Sequence, residues 1–155
     1  MAGETVLMRR IFADSSVLIA GCGSRTGASR AVLTMAEIGL FKLVVSEQVL
    51  EECDRNIRKK IPAALPIFTE LLATINPEIL PDPSLEESSR WAAIIEAKDT
   101  PILAAAVLAN VDRLLSLNTK DFTAEVAAQS GLSIQTPAEF VREIREIVGK
   151  GLLST

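Results

Sequence analysis

Four acidic residues stand where apolar runs end: Asp14 in IFADSSVLIAG, Glu52 in SEQVLEECDRNIRKK, Asp99 in AKDTPILAAAVL and Asp121 in LLSLNTKDF. An acid beside an apolar run is costly to bury unpaired, so each either shapes the local backbone or holds something at the end of its element. Each has a structural reading. Asp14 can start a turn in which DSS side chains bond nearby backbone, Asp99 before Thr-Pro makes a good helix N-cap, Asp121 can cap the following helix, and Glu52 can be a charge flanking an apolar face. Their joint placement points further: Asp14 and Asp121 follow predicted strands, Glu52 and Asp99 open predicted helices, and all four can converge on one sheet edge. Carboxylates brought together repel one another. The usual remedies are a raised pKa or a hard cation with oxygen ligands, here magnesium or manganese.

The rest of the inventory narrows the chemistry. The 155 residues include no histidine and no tyrosine, which excludes imidazole ligands, imidazole general bases and the Ser-His-Asp or Cys-His arrangements. Cys22 and Cys53 are too few and too far apart for a structural zinc site, and two thiols fit a reducing cytoplasm better than a disulfide framework. Hydrophobic residues make up 48% and the net charge is -4, a composition that excludes a disordered chain and argues against a globally basic nucleic-acid binder. Any polyanion must meet a local patch, and RNIRKK (55–60) is the densest, although it reads equally well as the solvated end of a helix that complements the dipole. No run approaches membrane-spanning length, and the short apolar stretch after Asp14 is not a secretory signal.

Positioning the acids takes strands alternating with helices. RIFA with VLIAG reads as a buried strand and its exit, followed by a loop CGSRTG and a helix through SRAVLTMAEIG that stops at Gly39. FKLVVS reads as a strand, and EQVLEECDRNIRKKI as a helix capped by Ser46. On that helix Val49, Leu50, Cys53 and Ile57 define the apolar face; Glu52 falls just beside it while Glu51 points away. The proline-rich middle divides helices with turns, with PEIL a candidate edge strand. SLEESSRWAAIIEAKD and TPILAAAVLANV read as two helices, DRLLSLN as a strand entered by a turn at Asp112, and TAEVAAQSG as a short helix. LSIQT reads as a last strand before TPAEFVREIREIVG, where Thr136, Pro137 and Glu139 form a capping box. The pattern predicts right-handed crossovers and a parallel sheet covered on both faces, in one domain over 1–155 with its core at about 10–148.

IFADSSVLIAG, LVVSEQVLEE and KDTPILAAAVLANVDRLLSLNTKDF, in this order and spacing, resemble the PIN-domain family, which includes the toxin ribonucleases of bacterial and archaeal toxin-antitoxin pairs. The resemblance runs from about Arg10 to Phe140. It implies an α/β/α sandwich with a central, mainly parallel sheet, whose acids bind Mg2+ or Mn2+ and hydrolyse RNA. Carried over by position, the catalytic and metal-binding acids are Asp14, Glu52, Asp99 and Asp121. Ser16 and Ser116 take supporting places beside the first and last acids. Asn118 stands where many relatives carry an Asp, and here the acid comes three residues later. An antitoxin protein and a homodimer are the partners implied. Arg25 and Arg30, after Asp14, are placed either to meet an RNA phosphate backbone or to be solvated surface cations.

Two other readings compete. One is a PIN-like scaffold with weakened catalysis that binds protein or RNA; the near absence of aromatics makes a base-stacking platform a poor fit and favours protein. The other is a receiver-like signalling domain, which would want a pair of acids ahead of its phosphoacceptor and a late lysine at a strand end. The acidic pair is missing from this sequence.

Overall fold

The computed structural model describes residues 9–153, so the flanks 1–8 and 154–155 of the expected domain lie outside the described residues. Strand β1 (Arg10–Ala13) leads into helices α1 (Ser15–Gly23) and α2 (Ala28–Glu37), then β2 (Lys42–Ser46) and α3 (Glu47–Lys60). A single 3-10 turn (Pro62–Ala64), α4 (Leu65–Ile75), β3 (Glu78–Leu80) and α5 (Leu85–Ser89) complete the middle. The rest is α6 (Thr100–Leu108), β4 (Arg113–Leu115), α7 (Ala124–Ser130), β5 (Ile134–Gln135) and α8 (Pro137–Leu153).

The five strands form one sheet in the order β3-β2-β1-β4-β5, and every pairing is parallel. Helices flank it as the outer layers of an α/β/α sandwich. Ile11, Phe12, Leu43, Val44, Leu114 and Leu115 are fully buried on successive strand positions, the signature of strands covered on both faces. The chain grows outward from β1 to β3 and then returns to the other side of β1 for β4, which makes the crevice between β1 and β4 the topological switch point. At the opposite edge the Arg10 guanidinium grips both oxygens of Glu78, at 2.9 and 2.6 Å, and the Arg10 amide donates to Asp112 at 2.7 Å. Asp112 therefore organises the turn into β4, as its position in the sequence suggests.

Several local expectations hold: Ser46 caps α3 by accepting from the Val49 amide, Gly39 with φ +85° follows the end of α2, and Thr136 and Glu139 exchange their capping-box bonds. PEIL supplies the edge strand β3. Other expectations do not hold. VLIAG is not a strand exit but the body of α1, because Asp14 is extended (φ -70°, ψ 159°) and starts a helix at once; an apolar run without a clear period cannot be assigned from pattern alone. The helix read through SLEESSRWAAIIEAKD ends at Ser89. Residues 90–99 instead pass through successive tight turns closed by Trp91, Ile94 and Asp99 amides on the carbonyls three residues earlier. Trp91 and Ile94 lean on the core and Ile95 is buried within it, so packing decides this segment over helical period. The strands read from DRLLSLN and LSIQT shorten to Arg113–Leu115 and Ile134–Gln135.

Candidate active site

At the carboxyl edge of the sheet β1 and β4 lie in register, Ala13 opposite Leu115, so the residues that follow them meet. The Asp14 amide donates to the Leu115 carbonyl at 3.0 Å. Asp14 Oδ1 accepts from the Ser15 amide at 2.7 Å, and Oδ2 accepts from Ser116 Oγ at 2.8 Å and Ser16 Oγ at 3.1 Å. Those two hydroxyls already accept backbone N–H groups, from Asn118 and Leu117 respectively, which fixes their protons on Asp14. Burial pushes the Asp14 carboxyl above its ordinary range, the bonds from Ser116, Ser15 and Ser16 pull it back, and the nearby Glu52 adds to the rise.

Glu52 comes to the same edge because α3 begins where β2 ends. Its Oε2 accepts from Ser15 Oγ at 2.9 Å and its Oε1 from Gln48 Nε2 at 3.2 Å. Gln48 Nε2 also donates to the Lys98 carbonyl at 3.1 Å, which ties α3 to the segment that carries Asp99. Glu51 is exposed. Buried Val49, Cys53 and Ile57 form the face that packs inward.

Asp99 and Asp121 make a second group. Asp99 occupies the N-cap position of α6, but its backbone is already helical (φ -101°, ψ -11°) and its carboxylate caps nothing, contrary to the structural role its sequence position suggests. The residue is only 7% exposed, and Oδ2 accepts no hydrogen bond. Asp121 does not cap α7 either, since Thr123 does so. Instead Asp121 Oδ2 accepts from Asn118 Nδ2 at 2.9 Å, while Asn118 Oδ1 accepts from the Asp121 amide. Burial, together with the adjacent Asp121, pushes the Asp99 carboxyl up to about 7, whereas Asn118 and Asp99 hold Asp121 below its ordinary range. The pair thus favours one proton near neutrality, carried by Asp99. Lys98 Nζ hovers 3.6 Å from Asp121 Oδ2 and 3.9 Å from Asp99 Oδ2.

Sequence reading passed over three residues here. Ser15 joins Asp14 to Glu52, Gln48 joins Glu52 to the Lys98 carbonyl, and Glu96 brings a carboxylate oxygen within 4.8 Å of oxygens from Asp99 and Asp121. The i, i+4 spacing of Gln48 and Glu52 could have flagged the second. Glu96 was hidden by the assumption of a continuous helix. Beside this group opens a cavity of about 430 Å³ lined in part by Glu96, Lys120, Asp121, Thr123 and Glu125. Of the two arginines, Arg30 donates to the Gly21 carbonyl near the far end of α1, and Arg25 is exposed in the turn after α1. No described contact brings either to the acids. The basic run of α3 ends at Arg58, Lys59 and Lys60 in its last turn, some 20 Å along the helix from Ser46.

An all-oxygen donor set, three carboxylates within 4.8 Å and one buried carboxylate oxygen without a hydrogen bond fit a hard divalent cation of the magnesium or manganese kind.

Fold and site together define a parallel α/β protein that gathers acids at the switch point of its sheet. The PIN-domain family model matches residues 10–120, and the chain belongs to the PIN-domain family. No curated protein matches it in sequence. Among solved structures it resembles PAE2754 from Pyrobaculum aerophilum at 18% identity and a TM-score of 0.61, over 89% of this chain and 97% of that one. VapBC2 from Rickettsia felis, solved bound to a DNA fragment from its promoter, is similar at 15% identity and 0.59, over 82% and 98%. VapBC-1 from nontypeable Haemophilus influenzae follows at 17% and 0.58, over 83% and 98%.

Proposed function

We propose that this protein is a divalent-metal-dependent endoribonuclease, the toxin of a toxin-antitoxin pair, acting in the cytoplasm as one domain over 1–155. The observation that carries the reading is the buried Asp99 oxygen left without a donor beside Asp121. Its nearest cation is Lys98 Nζ at 3.9 Å, and a divalent ion would pair with it at bonding distance. Asp99 and Asp121 would hold Mg2+ or Mn2+, with Asp14 and Glu52 completing the acidic edge. When bound, such an ion supplies Lewis acidity toward a phosphate oxygen and an acidified water. The chain's own groups do the rest. Asn118 orients Asp121, the serine pair Ser16 and Ser116 orients Asp14, and Ser15 and Gln48 fix Glu52 where a carboxylate can accept the proton that an attacking water loses. With no histidine or tyrosine in the chain, carboxylates are the groups available for that transfer.

The likeness to two VapBC structures supports an antitoxin protein as partner, and a homodimer is the assembly proposed from the family resemblance alone. Among the described residues no helix is long and apolar enough to cross a membrane. Arg25 and Arg30 would meet RNA only if the strand runs from the acids along α1.

Incubating purified protein with single-stranded RNA and Mn2+ or Mg2+ tests the reading. Cleavage is expected with either metal, none with chelator, and at least a hundredfold loss in Asp121→Asn, in line with the cost of losing one group that stabilises developing charge. A protein that leaves RNA intact at millimolar metal would instead be the catalytically weakened scaffold.

A further inference from the structure

We propose that an RNA strand held at the acids continues along the seam between α1 and α3 and lays its phosphates on a cationic end built by Arg25, Lys59 and Lys60, which binds RNA without metal. The inference rests on the nuclease reading above for where the scissile phosphate lies, and it adds the path of the flanking strand. Residues 15–36 and 55–69 carry six cations, Arg25, Arg30, Arg55, Arg58, Lys59 and Lys60, and no acid, in a chain whose net charge is -4. These segments are neighbours in the fold, because α1 packs on α2, α3 and α4. Charge is therefore segregated, and a local positive patch stands on an acidic molecule.

The geometry joins this patch to the acids. α1 and α3 start together, with Ser15 Oγ donating to Glu52 Oε2 at 2.9 Å. They also end together: a Cβ on Gly23 would lie 3.3 Å from Ile61 Cδ1, so the turn that carries Arg25 sits beside the last turn of α3. Lys59 follows Glu52 by two helical turns, about 10 Å along the same side of α3, with Asn56 between them. A strand with one phosphate at the acids therefore reaches the cations within a few nucleotides.

The cations are available. Arg58 is spent on both oxygens of Asp54 at 3.0 Å, and Arg30 donates to the Gly21 carbonyl at the end of α1. Arg25, Arg55, Lys59 and Lys60 are exposed, and among the described residues none of them makes an ion pair. Complementing the α3 dipole accounts for the last-turn lysines but not for Arg25, which lies outside that helix, nor for the missing acids. None of the large apolar side chains exposed among the described residues lies on α1, on the turn after it or on α3, so the surface lacks the anchors of a protein interface and suits a polyanion.

Fluorescence anisotropy of a labelled single-stranded oligouridine, measured in chelator at several salt concentrations, tests the path without cleavage or metal. The variants are Arg25→Gln, Lys59→Gln and, as a control of equal charge change, Arg90→Gln after α5; all three side chains are exposed, so the fold tolerates the changes. Wild type is expected to bind, more weakly as salt rises. Arg25→Gln and Lys59→Gln should each lose about fivefold in affinity at about 0.1 M salt, with a salt slope shallower by about 0.7, the share of one phosphate contact. Arg90→Gln should keep both affinity and slope. Wild type that does not bind in chelator, or patch variants that match Arg90→Gln, would overturn the path. Polyglutamate that displaces the RNA as well as unlabelled RNA of equal charge would assign the patch to an acidic protein and overturn it too. The expected binding in a protein that cleaves no RNA with Mn2+ would keep the RNA-binding patch and overturn the nuclease reading alone.

Discussion

Asp14 and Asp99 are both buried carboxylates, and their surroundings predict opposite responses to the same substitution. Asp14 receives donors on both oxygens, so the amide of Asp14→Asn would turn its own donors toward the Ser15 amide or the serine hydroxyls. Melting of Asp14→Asn is expected a few degrees below wild type, a loss of about 1–2 kcal/mol. Asp99 has an acidic neighbour and is raised to about 7, so at pH 8, where Asp99 is ionised, Asp99→Asn removes repulsion at constant shape and should melt above wild type in chelator. Saturating Mn2+ should raise wild-type stability by about 2.7 kcal/mol at a hundredfold excess over the dissociation constant and leave Asp99→Asn unmoved. Differential scanning calorimetry of the three proteins, with chelator and with Mn2+, checks all of this; a lower melting point for metal-free Asp99→Asn would contradict the repulsion argument.

Helix faces decide the next comparison. α3 starts at the carboxyl edge and turns Glu52 toward Ser15 while Glu51 faces solvent, so Glu52→Gln should lose far more RNA cleavage than Glu51→Gln, and equal losses would contradict the face assignment. α1 and α2 cross closely at Gly21, where an added Cβ would come 2.5 Å from Leu33 Cδ1 and 3.3 Å from the Ser29 carbonyl. Leu33 is itself buried, so Gly21→Ala should destabilise by about 1–3 kcal/mol in urea unfolding although alanine favours helix. The alternation of strands and helices, the cap at Ser46 and the capping box at Thr136 were legible in the sequence because each is a local pattern. So was the convergence of Asp14, Glu52, Asp99 and Asp121 on one edge, which follows from the direction of parallel strands. VLIAG was illegible because a uniformly apolar run has no period, and the turns of residues 90–99 because packing of Trp91 and Ile95 overrides helical pattern. That second misreading concealed Glu96, whose approach to Asp99 exists only in the turn.

For the molecule as a whole, the acidic edge makes the stability of the fold depend on pH. Burial beside Asp121 raises Asp99 to about 7 against an ordinary value of 3.8, and Asp14 is raised as well. A carboxyl raised on folding binds its proton more tightly in the native state. Its stabilising contribution is full below about pH 4 and is lost as pH rises through 7. Metal-free protein should therefore melt at progressively lower temperature from pH 5 to pH 8, while Mn2+, which needs the ionised acids, should bind more tightly over the same interval. Asp99→Asn should flatten the slope, and a wild-type melting point that climbs across this window would contradict the assignment. The net charge of -4 offers no general attraction for RNA, so productive contact must be made at the edge itself, where a divalent cation would reverse the local sign. The most direct measurement is the rate of cleavage of a single-stranded RNA against Mn2+ concentration for wild type and Asp99→Asn. The account predicts a rate that saturates with metal in wild type, vanishes in chelator and is absent in Asp99→Asn at every concentration; cleavage that persists in chelator, or in Asp99→Asn at the wild-type rate, would contradict it.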